Sequence, residues 1–359
     1  MSRTPRPGSD ALREALGEAL AGREVAGPTM RRAMSAVLAG EASDAQIGGF
    51  AIALRMRGET PGELAAAAAV LRQRARGVSV SGQAPLLDTC GTGGDGLGTF
   101  NISTVAALVA AAAGARVAKH GNRAVSSRCG SADVLEALGL DLNLDRTALE
   151  ACLGTVGIAF LFAPAHHGAL RHAAGARRAL GVRTLFNLLG PLANPAGATH
   201  QLLGVYDEDK VEDMAEVLGA LGTQAAWVVH GTGGFDEIAT TGATRVARLR
   251  RDDAGRARVD TFELTPGDFG LEEAPAEALA GGDATTNARI AREVLAGQAG
   301  APRLAVLLNA GAALCVAGVA ATPREGAERA AAAIAGGAAA RLLARWVEFT
   351  TRRGTPVDD

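Results

Sequence analysis

Asp88-Thr-Cys-Gly-Thr-Gly-Gly-Asp-Gly-Leu-Gly-Thr-Phe-Asn-Ile-Ser-Thr104 decides how the rest of the chain is read. Asp88 ends a short apolar strand, Gly91-Thr-Gly-Gly-Asp95 makes a turn, and Asn101-Ile-Ser-Thr104 opens a helix. Strand, glycine turn and helix N-terminus together aim free backbone N–H groups and a positive dipole end at one point, the arrangement that holds an oxyanion. Without side chains, the glycines let the backbone touch that anion. Ser103 and Thr104 add hydroxyl donors, and Ser103 also offers an oxygen to a metal. The stretch lacks GxxxxGK[ST], so it is not a P-loop. Gly91, Gly93 and Gly96 meet the GxGxxG spacing, but the helix opens only at Asn101, well past the third glycine, so the stretch does not read as a dinucleotide fingerprint.

A second such turn follows the next strand. Lys119-His-Gly-Asn-Arg-Ala-Val-Ser-Ser127 again puts charge and hydroxyls at the C-terminal end of a strand, where ligands of open α/β sheets bind. From residue 86 onward, short apolar strands alternate with helices. Strands are expected at Leu86–Asp88, Arg116–Lys119, Ile158–Phe162, Gln201–Gly204, Ala225–His230, Ala247–Leu249 and Val259–Phe262, with Asp252–Arg258 a charged hairpin tip. The pattern predicts an α/β fold, a mainly parallel sheet flanked by helices. Residues 10–76 have helical periodicity instead, with Ser43 and Gln46 marking one helix start and Thr60-Pro61 another. They read as a small all-helical domain. The block 166–192 is helical, interrupts the alternation, and is expected to pack back on that domain. The division is then 1–80 with 166–192 against 81–165 with 193–359. Ala327–Phe349 is predicted as one closing helix, and Phe186–Pro195 as a rigid Gly/Pro connection with hinge character.

Composition narrows the function. The chain has 359 residues, 48% apolar, with a net charge of −2. That supports a full core and argues against a polyanion binder held by a basic surface. Its cysteines (Cys90, Cys129, Cys152, Cys315) show no CxxC spacing, so a reduced protein without a zinc site is expected. The polar start, Met1-Ser-Arg-Thr-Pro-Arg-Pro-Gly, has no signal-peptide character, and a cytoplasmic protein is expected.

Two further features bear on chemistry. Asp236-Glu237 follows strand 225–230 and its own glycine turn, Gly231-Thr-Gly-Gly-Phe235. Adjacent carboxylates there suit Mg²⁺, which takes hard oxygen ligands and completes its octahedron from substrate phosphate and water. Asp236-Glu-Ile-Ala-Thr-Thr-Gly-Ala-Thr244 superficially matches the DDxxATGGT signature of type I phosphoribosyltransferases, but the intervening glycine loop excludes that fold. The helical block carries His166, His167, Arg171, His172, Arg177, Arg178 and Arg183. Adjacent His166 and His167 cannot share a helix face, so anion recognition by arginine forks is favoured over zinc.

Taken together, DTCGTGGD, FNIST, KHGNRAVSS, GSADVLEALG, RTLFNLLGPLANP and FDEIATT, in this order, resemble the anthranilate phosphoribosyltransferase family over almost the whole chain. The resemblance implies a small helical and a large α/β domain, and a homodimer formed through the helical domain. The reaction it implies moves phosphoribose from phosphoribosyl diphosphate to the amine of anthranilate in tryptophan synthesis. It assigns the diphosphate-sugar site to Gly91, Gly94, Asp95, Thr99, Asn101, Ser103, Thr104, Lys119, His120, Gly121, Asn122, Arg123, Ala124, Val125, Ser126, Ser127 and Ser131. It assigns Mg²⁺ to Ser103, Asp236 and Glu237, and anthranilate to Gly91, Asn122 and Arg177. Lys119 is then the cation that assists leaving-group departure, and His120 the residue with a helping role. No nucleic-acid or membrane partner is expected. The alternatives are a pyrimidine nucleoside phosphorylase, for which no KMSGRG-type segment is found, and a noncatalytic nucleic-acid-binding relative of the same fold.

Overall fold

The computed structural model describes residues 7–80, 82, 85–94, 96–124 and 128–354. Four helices come first: α1 (Pro7–Leu20), α2 (Gly27–Ala39), α3 (Asp44–Arg57) and α4 (Pro61–Arg74). Reciprocal capping boxes start two of them, as the sequence predicts. Gln46 N–H donates to Ser43 Oγ (3.3 Å) and Ser43 N–H returns to Gln46 Oε1 (3.0 Å). Thr60 and Glu63 repeat the exchange at 3.2 and 3.0 Å.

The α/β part follows as β1 (Leu86–Gly91), α5 (Ile102–Ala112), β2 (Arg116–Gly121), α6 (Ser131–Leu138), α7 (Arg146–Thr155) and β3 (Ile158–Phe162). Next come α8 (Ala163–His166), α9 (Arg171–Leu180), α10 (Leu185–Leu189), β4 (His200–Gly204), α11 (Val211–Ala220) and β5 (Ala225–Gly231). The chain ends with β6 (Thr244–Arg251), β7 (Ala257–Leu264), α12 (Ala284–Leu295), α13 (Ala301–Val316), α14 (Pro323–Ala335) and α15 (Ala338–Gly354).

The seven strands form one sheet in the order β3-β2-β1-β4-β5-β6-β7. Pairings from β3 to β5 are parallel, and β6 and β7 add as an antiparallel hairpin. The order reverses at β1/β4, so the crevice at their C-terminal ends is where an open sheet binds its ligand. The parallel strands β1–β5 are buried on both faces, while β7 at the edge is mostly exposed. Leu202, Trp227, Val229 and Val246 join the core under α5 and α13, while Leu203, Val228, Ala247 and Leu249 join the core under the N-terminal helices.

The block between β3 and β4 lies against α2 and α3. A Cβ on Gly175 of α9 would stand 2.4 Å from the Asp44 carboxylate, and one on Gly40 would stand 2.7 Å from His172. Ala173, Ala176, Leu185 and Leu188 share the core of the N-terminal helices.

Three expectations are corrected. β1 runs on to Gly91, so Asp88 is a mid-strand residue, wholly buried. The closing helix is two helices bent by 66° at Gly336-Gly337, where Gly337 takes φ +71°. The Phe186–Pro195 connection is pinned: Asn194 donates to Asp88 Oδ2 (2.8 Å) and to Ala118 O (2.7 Å).

Candidate active site

The glycine turn sits at the C-terminal end of β1, at the reversal of strand order. Thr89 Oγ1 donates to Ser103 O (3.1 Å), tying the strand to the first turn of α5. On the other side, Thr92 N–H donates to Gly204 O (2.9 Å) and Tyr206 N–H donates to Thr92 Oγ1 (3.2 Å), tying the turn to the exit of β4. Thr99 pairs with Ala280, and Gly281 N–H donates to Gly98 O (2.9 Å), which closes the far side of the turn. Asn101 stands at the N-cap of α5 without capping it. Its side chain donates to Cys129 O (3.1 Å) and accepts from Asn287 (2.9 Å), so it ties the two turns together. The first amides of α5 are taken up within the protein, Ile102 N–H on Phe100 O (2.8 Å) and Thr104 N–H on Asn101 O (3.1 Å). Thr104 Oγ1 is buried there without a hydrogen-bond partner.

Asp236 and Glu237 reach this same point. Asp236 Oδ2 accepts from Gly93 N–H (2.9 Å), and Glu237 Oε1 accepts from Ser103 N–H (3.1 Å). Their segment is fixed behind by Ile238 N–H on Asn309 Oδ1 (2.9 Å). It is fixed below by packing on glycine. A Cβ at Gly204 would fall 1.6 Å from Asp236 O, and one at Gly91 would fall 2.9 Å from Asp236 Oδ2. Asp236, Glu237 and Ser103 present oxygen donors only. Among the described residues no group of three or more His, Cys, Asp or Glu gathers to hold a metal.

Lys119 is buried beneath the turn. Its Nζ donates to Thr89 O and lies 3.3 Å from Ser103 Oγ. Burial lowers its pKa, and the Asp88 and Glu237 carboxylates oppose that shift. Burial also raises Asp88, against the Asn194 amide and the Lys119 charge. Asp88 Oδ1 accepts from His120 N–H (3.1 Å), so its role is to lock β1 to β2.

The second turn departs from expectation in one respect. Arg123 donates to Asp133 Oδ1 (3.1 Å) and to both oxygens of Glu136, one at 2.7 Å, and lies over Phe162. Its charge is spent on carboxylates of α6. Asp133 also accepts from Ala124 N–H (3.0 Å) and Gly130 N–H (2.8 Å), and Ser131 Oγ donates to Asn122 O (3.2 Å). Gly121 ends β2 under Ser131: a Cβ there would stand 2.2 Å from its Oγ. Asp95, Val125, Ser126 and Ser127 lie outside the described residues.

His120 is buried, and its Nε2 has no hydrogen-bond partner. Burial, reinforced by His167 and His166, pushes its pKa down to about 3, so the ring is neutral at pH 7. The His167 ring centroid is 5.1 Å away, and burial pushes this histidine to about 4. His166 Nδ1 lies 2.7 Å from Arg76 O, a structural contact. Arg177, in the last turn of α9, lies 5.8 Å from the Phe186 ring, and burial lowers its pKa.

Several site residues escape a motif reading. Gly204 is seen only once its backbone is placed against Asp236. Asn194 lies in the quoted LANP run, but its function depends on a contact across 106 positions. Asn287, which also accepts Gly282 N–H (2.8 Å), carries no local signal.

Comparison with known proteins agrees with this architecture. A model described as the glycosyl transferase family helical bundle domain matches residues 13–75, and one for the glycosyl transferase family a/b domain matches residues 83–340. The anthranilate phosphoribosyltransferase of Myxococcus xanthus is 53% identical, over 94% of this chain and 98% of its own. Among solved structures, anthranilate phosphoribosyltransferase from Thermus thermophilus superposes with a TM-score of 0.87 at 45% identity, covering 94% of this chain and 99% of that one. The Saccharomyces cerevisiae enzyme, in complex with PRPP and Mg, gives 0.86 at 27% identity, covering 96% and 99%. The chain belongs to the anthranilate phosphoribosyltransferase family.

Proposed function

We propose that the chain transfers the phosphoribosyl group of 5-phosphoribosyl 1-diphosphate to anthranilate, giving N-(5-phosphoribosyl)anthranilate and diphosphate, in tryptophan biosynthesis. One observation carries the reading. The Asp236 and Glu237 carboxylates meet the glycine turn at Gly93 and the α5 N-terminus at Ser103, at the reversal of strand order.

The chemistry follows from where charge grows. The C–O bond from the anomeric carbon to diphosphate breaks as the aryl amine forms its C–N bond, and the nitrogen then loses one N–H proton to the departing diphosphate or to water. Negative charge then collects on the leaving group, and positive charge on the sugar. The positive end of the α5 dipole faces that leaving group, and a preorganised field of this kind stabilises the charge without reorganising. Lys119, fixed by Thr89 O and Ser103 Oγ, adds its field from beneath. An oxygen-only donor set fits a hard cation, and the yeast relative is described with Mg. Mg²⁺ held by Asp236, Glu237 and Ser103 supplies, when bound, further neutralisation of the diphosphate. Arg177 is the fork for the anthranilate carboxylate, with Gly91 and Asn122 beside the acceptor. His120, neutral far below pH 7, is no strong base, and the aryl amine needs none. Rate then comes mainly from electrostatics and alignment.

Residues 1–80 with 166–192 form the helical domain, and 81–165 with 193–359 the α/β domain. Among the described residues no single helix is long and apolar enough to cross a membrane. The protein is taken as a cytoplasmic homodimer paired through the helical domain. The reading requires no nucleic acid or membrane.

Mass spectrometry of a reaction with phosphoribosyl diphosphate, Mg²⁺ and anthranilate should show phosphoribosylanthranilate. Absence of that product, with phosphate-dependent cleavage of thymidine instead, would move the function to the phosphorylase reading.

A further inference from the structure

Arg183 is the one basic residue of the 166–192 block that reaches the glycine turn in the described contacts. Its guanidinium lies so close to Gly94 that a Cβ there would stand 1.7 Å from Nη2. Gly94 also has φ +79°, so the position excludes side chains twice over. The guanidinium stacks on the ring of Tyr206, the chain's single tyrosine, at 3.8 Å. Tyr206 is itself tied to the turn through its N–H on Thr92 Oγ1 (3.2 Å). Arg183 makes no ion pair among the described residues, unlike Arg123, which is held by two carboxylates.

The backbone presents this arginine deliberately. α9 ends at Gly181 in the left-handed conformation (φ +63°). α10 begins at Thr184 with a reciprocal box to Asn187, Thr184 N–H donating to Asn187 Oδ1 (3.1 Å). Arg183 is thus locked between two capped helices whose other faces belong to the core of the N-terminal helices. A planar cation with no ion-pair partner among the described residues, stacked on an aromatic ring and set against the glycine turn, fits a phosphoryl oxygen. Gly93, the neighbouring residue, touches Asp236, which places Arg183 beside the diphosphate end of the pocket.

We infer that Arg183 is a diphosphate-binding residue, delivered to the Gly94 turn from the helical side of the molecule and held ready by Tyr206. The inference rests on the proposed phosphoribosyl transfer. It makes the turn a two-sided clamp, with Asp236 and Glu237 on one side and Arg183 on the other.

The test compares wild type, Arg183→Ala, Arg183→Lys and Tyr206→Leu. Affinity for inorganic diphosphate with Mg²⁺ is measured by titration calorimetry, and KM for each substrate by steady-state kinetics. A charge-assisted bidentate contact predicts about a 10- to 100-fold weaker diphosphate affinity in Arg183→Ala. KM for phosphoribosyl diphosphate should rise in parallel, and KM for anthranilate should stay within twofold. Arg183→Lys should recover part of the loss, and Tyr206→Leu should lose less than Arg183→Ala. Thermal midpoints within a few degrees of wild type separate binding from misfolding; for a variant that unfolds, Arg183→Lys decides. Unchanged diphosphate affinity in a folded Arg183→Ala overturns the inference while leaving the transferase reading intact. A rise confined to KM for anthranilate also overturns it and assigns Arg183 to the acceptor. A wild type that binds no diphosphate and makes no product sinks both.

Discussion

At Gly204 there is no room for a single carbon. A Cβ would lie 1.6 Å from the backbone oxygen of Asp236, and backbone cannot rotate aside as a side chain can. Gly204→Ala should therefore push the Asp236 segment away from the glycine turn. Overpacking of this kind costs about 1–3 kcal/mol, to be read as a lower urea midpoint together with a large loss of turnover. An unchanged midpoint with full activity would contradict the close packing. His120 and His167 give a second prediction at this scale. Their folded pKa values, about 3 and about 4, lie below the usual 6.5. The unfolded chain therefore takes up protons between pH 6.5 and 4 that the folded chain refuses. Stability is complete above pH 6.5 and falls with acid, by up to about 1.4 kcal/mol per pH unit for each ring. Urea unfolding from pH 7 to 4.5 should show this slope, and His120→Gln should remove the part due to that ring while His167 keeps the rest. A wild-type profile as flat as that of the variant would refute the buried neutral ring. The glycine turns and the acidic pair stand out in the sequence as short patterns, and the structure brings Gly93 and Ser103 together with Asp236 and Glu237. What the sequence does not carry is which polar group meets which. Arg123 looks like a phosphate ligand in the chain and is taken up by Asp133 and Glu136 in the fold.

Among the elements, helix starts were the most readable and helix ends the least. Thr60-Pro-Gly-Glu63 announces α4, and its Glu63 does more than cap. It is 1% exposed and accepts from Val25 N–H (2.7 Å), Thr60 N–H (3.0 Å) and the Arg57 guanidinium. Removing one partner of a buried ion pair costs about 3–5 kcal/mol. Glu63→Ala should show this loss by urea denaturation followed by circular dichroism, with Glu63→Gln, which keeps acceptor capacity for the cap, losing less. A cost below about 1 kcal/mol would place Glu63 among ordinary surface caps. The C-terminal stretch shows the opposite case. Its alanine-rich periodicity runs through Gly336-Gly337 without interruption, yet the chain bends there by 66°. Helix propensity cannot weigh two glycines against the packing of α14 and α15 on different neighbours. Strands β6 and β7 were likewise legible only at their apolar centres. Their ends, such as Thr244 opposite Leu264 and Arg251 opposite Ala257, are set by the cross-strand register and carry no apolar run.

For the whole molecule, alternating strands and helices gave the α/β class, but strand order depends on contacts between distant segments. The reversal at β1/β4 is what makes a site of the glycine turn, and it appears only in the assembled sheet. The helical part is bound to the sheet by a shared apolar core and by Arg72, which donates to Leu192 O (2.6 Å) and Leu221 O (3.0 Å). The acceptor side and the diphosphate side are thus held by one framework, which is what alignment of an amine with an anomeric carbon requires. The most direct measurement is the loss of anthranilate fluorescence on mixing with phosphoribosyl diphosphate, with and without Mg²⁺, for wild type and the double variant Asp236→Asn/Glu237→Gln. The account predicts Mg²⁺-dependent consumption by wild type and a rate lower by at least about 100-fold in the folded double variant. Consumption that is indifferent to Mg²⁺ and to both carboxylates would contradict it.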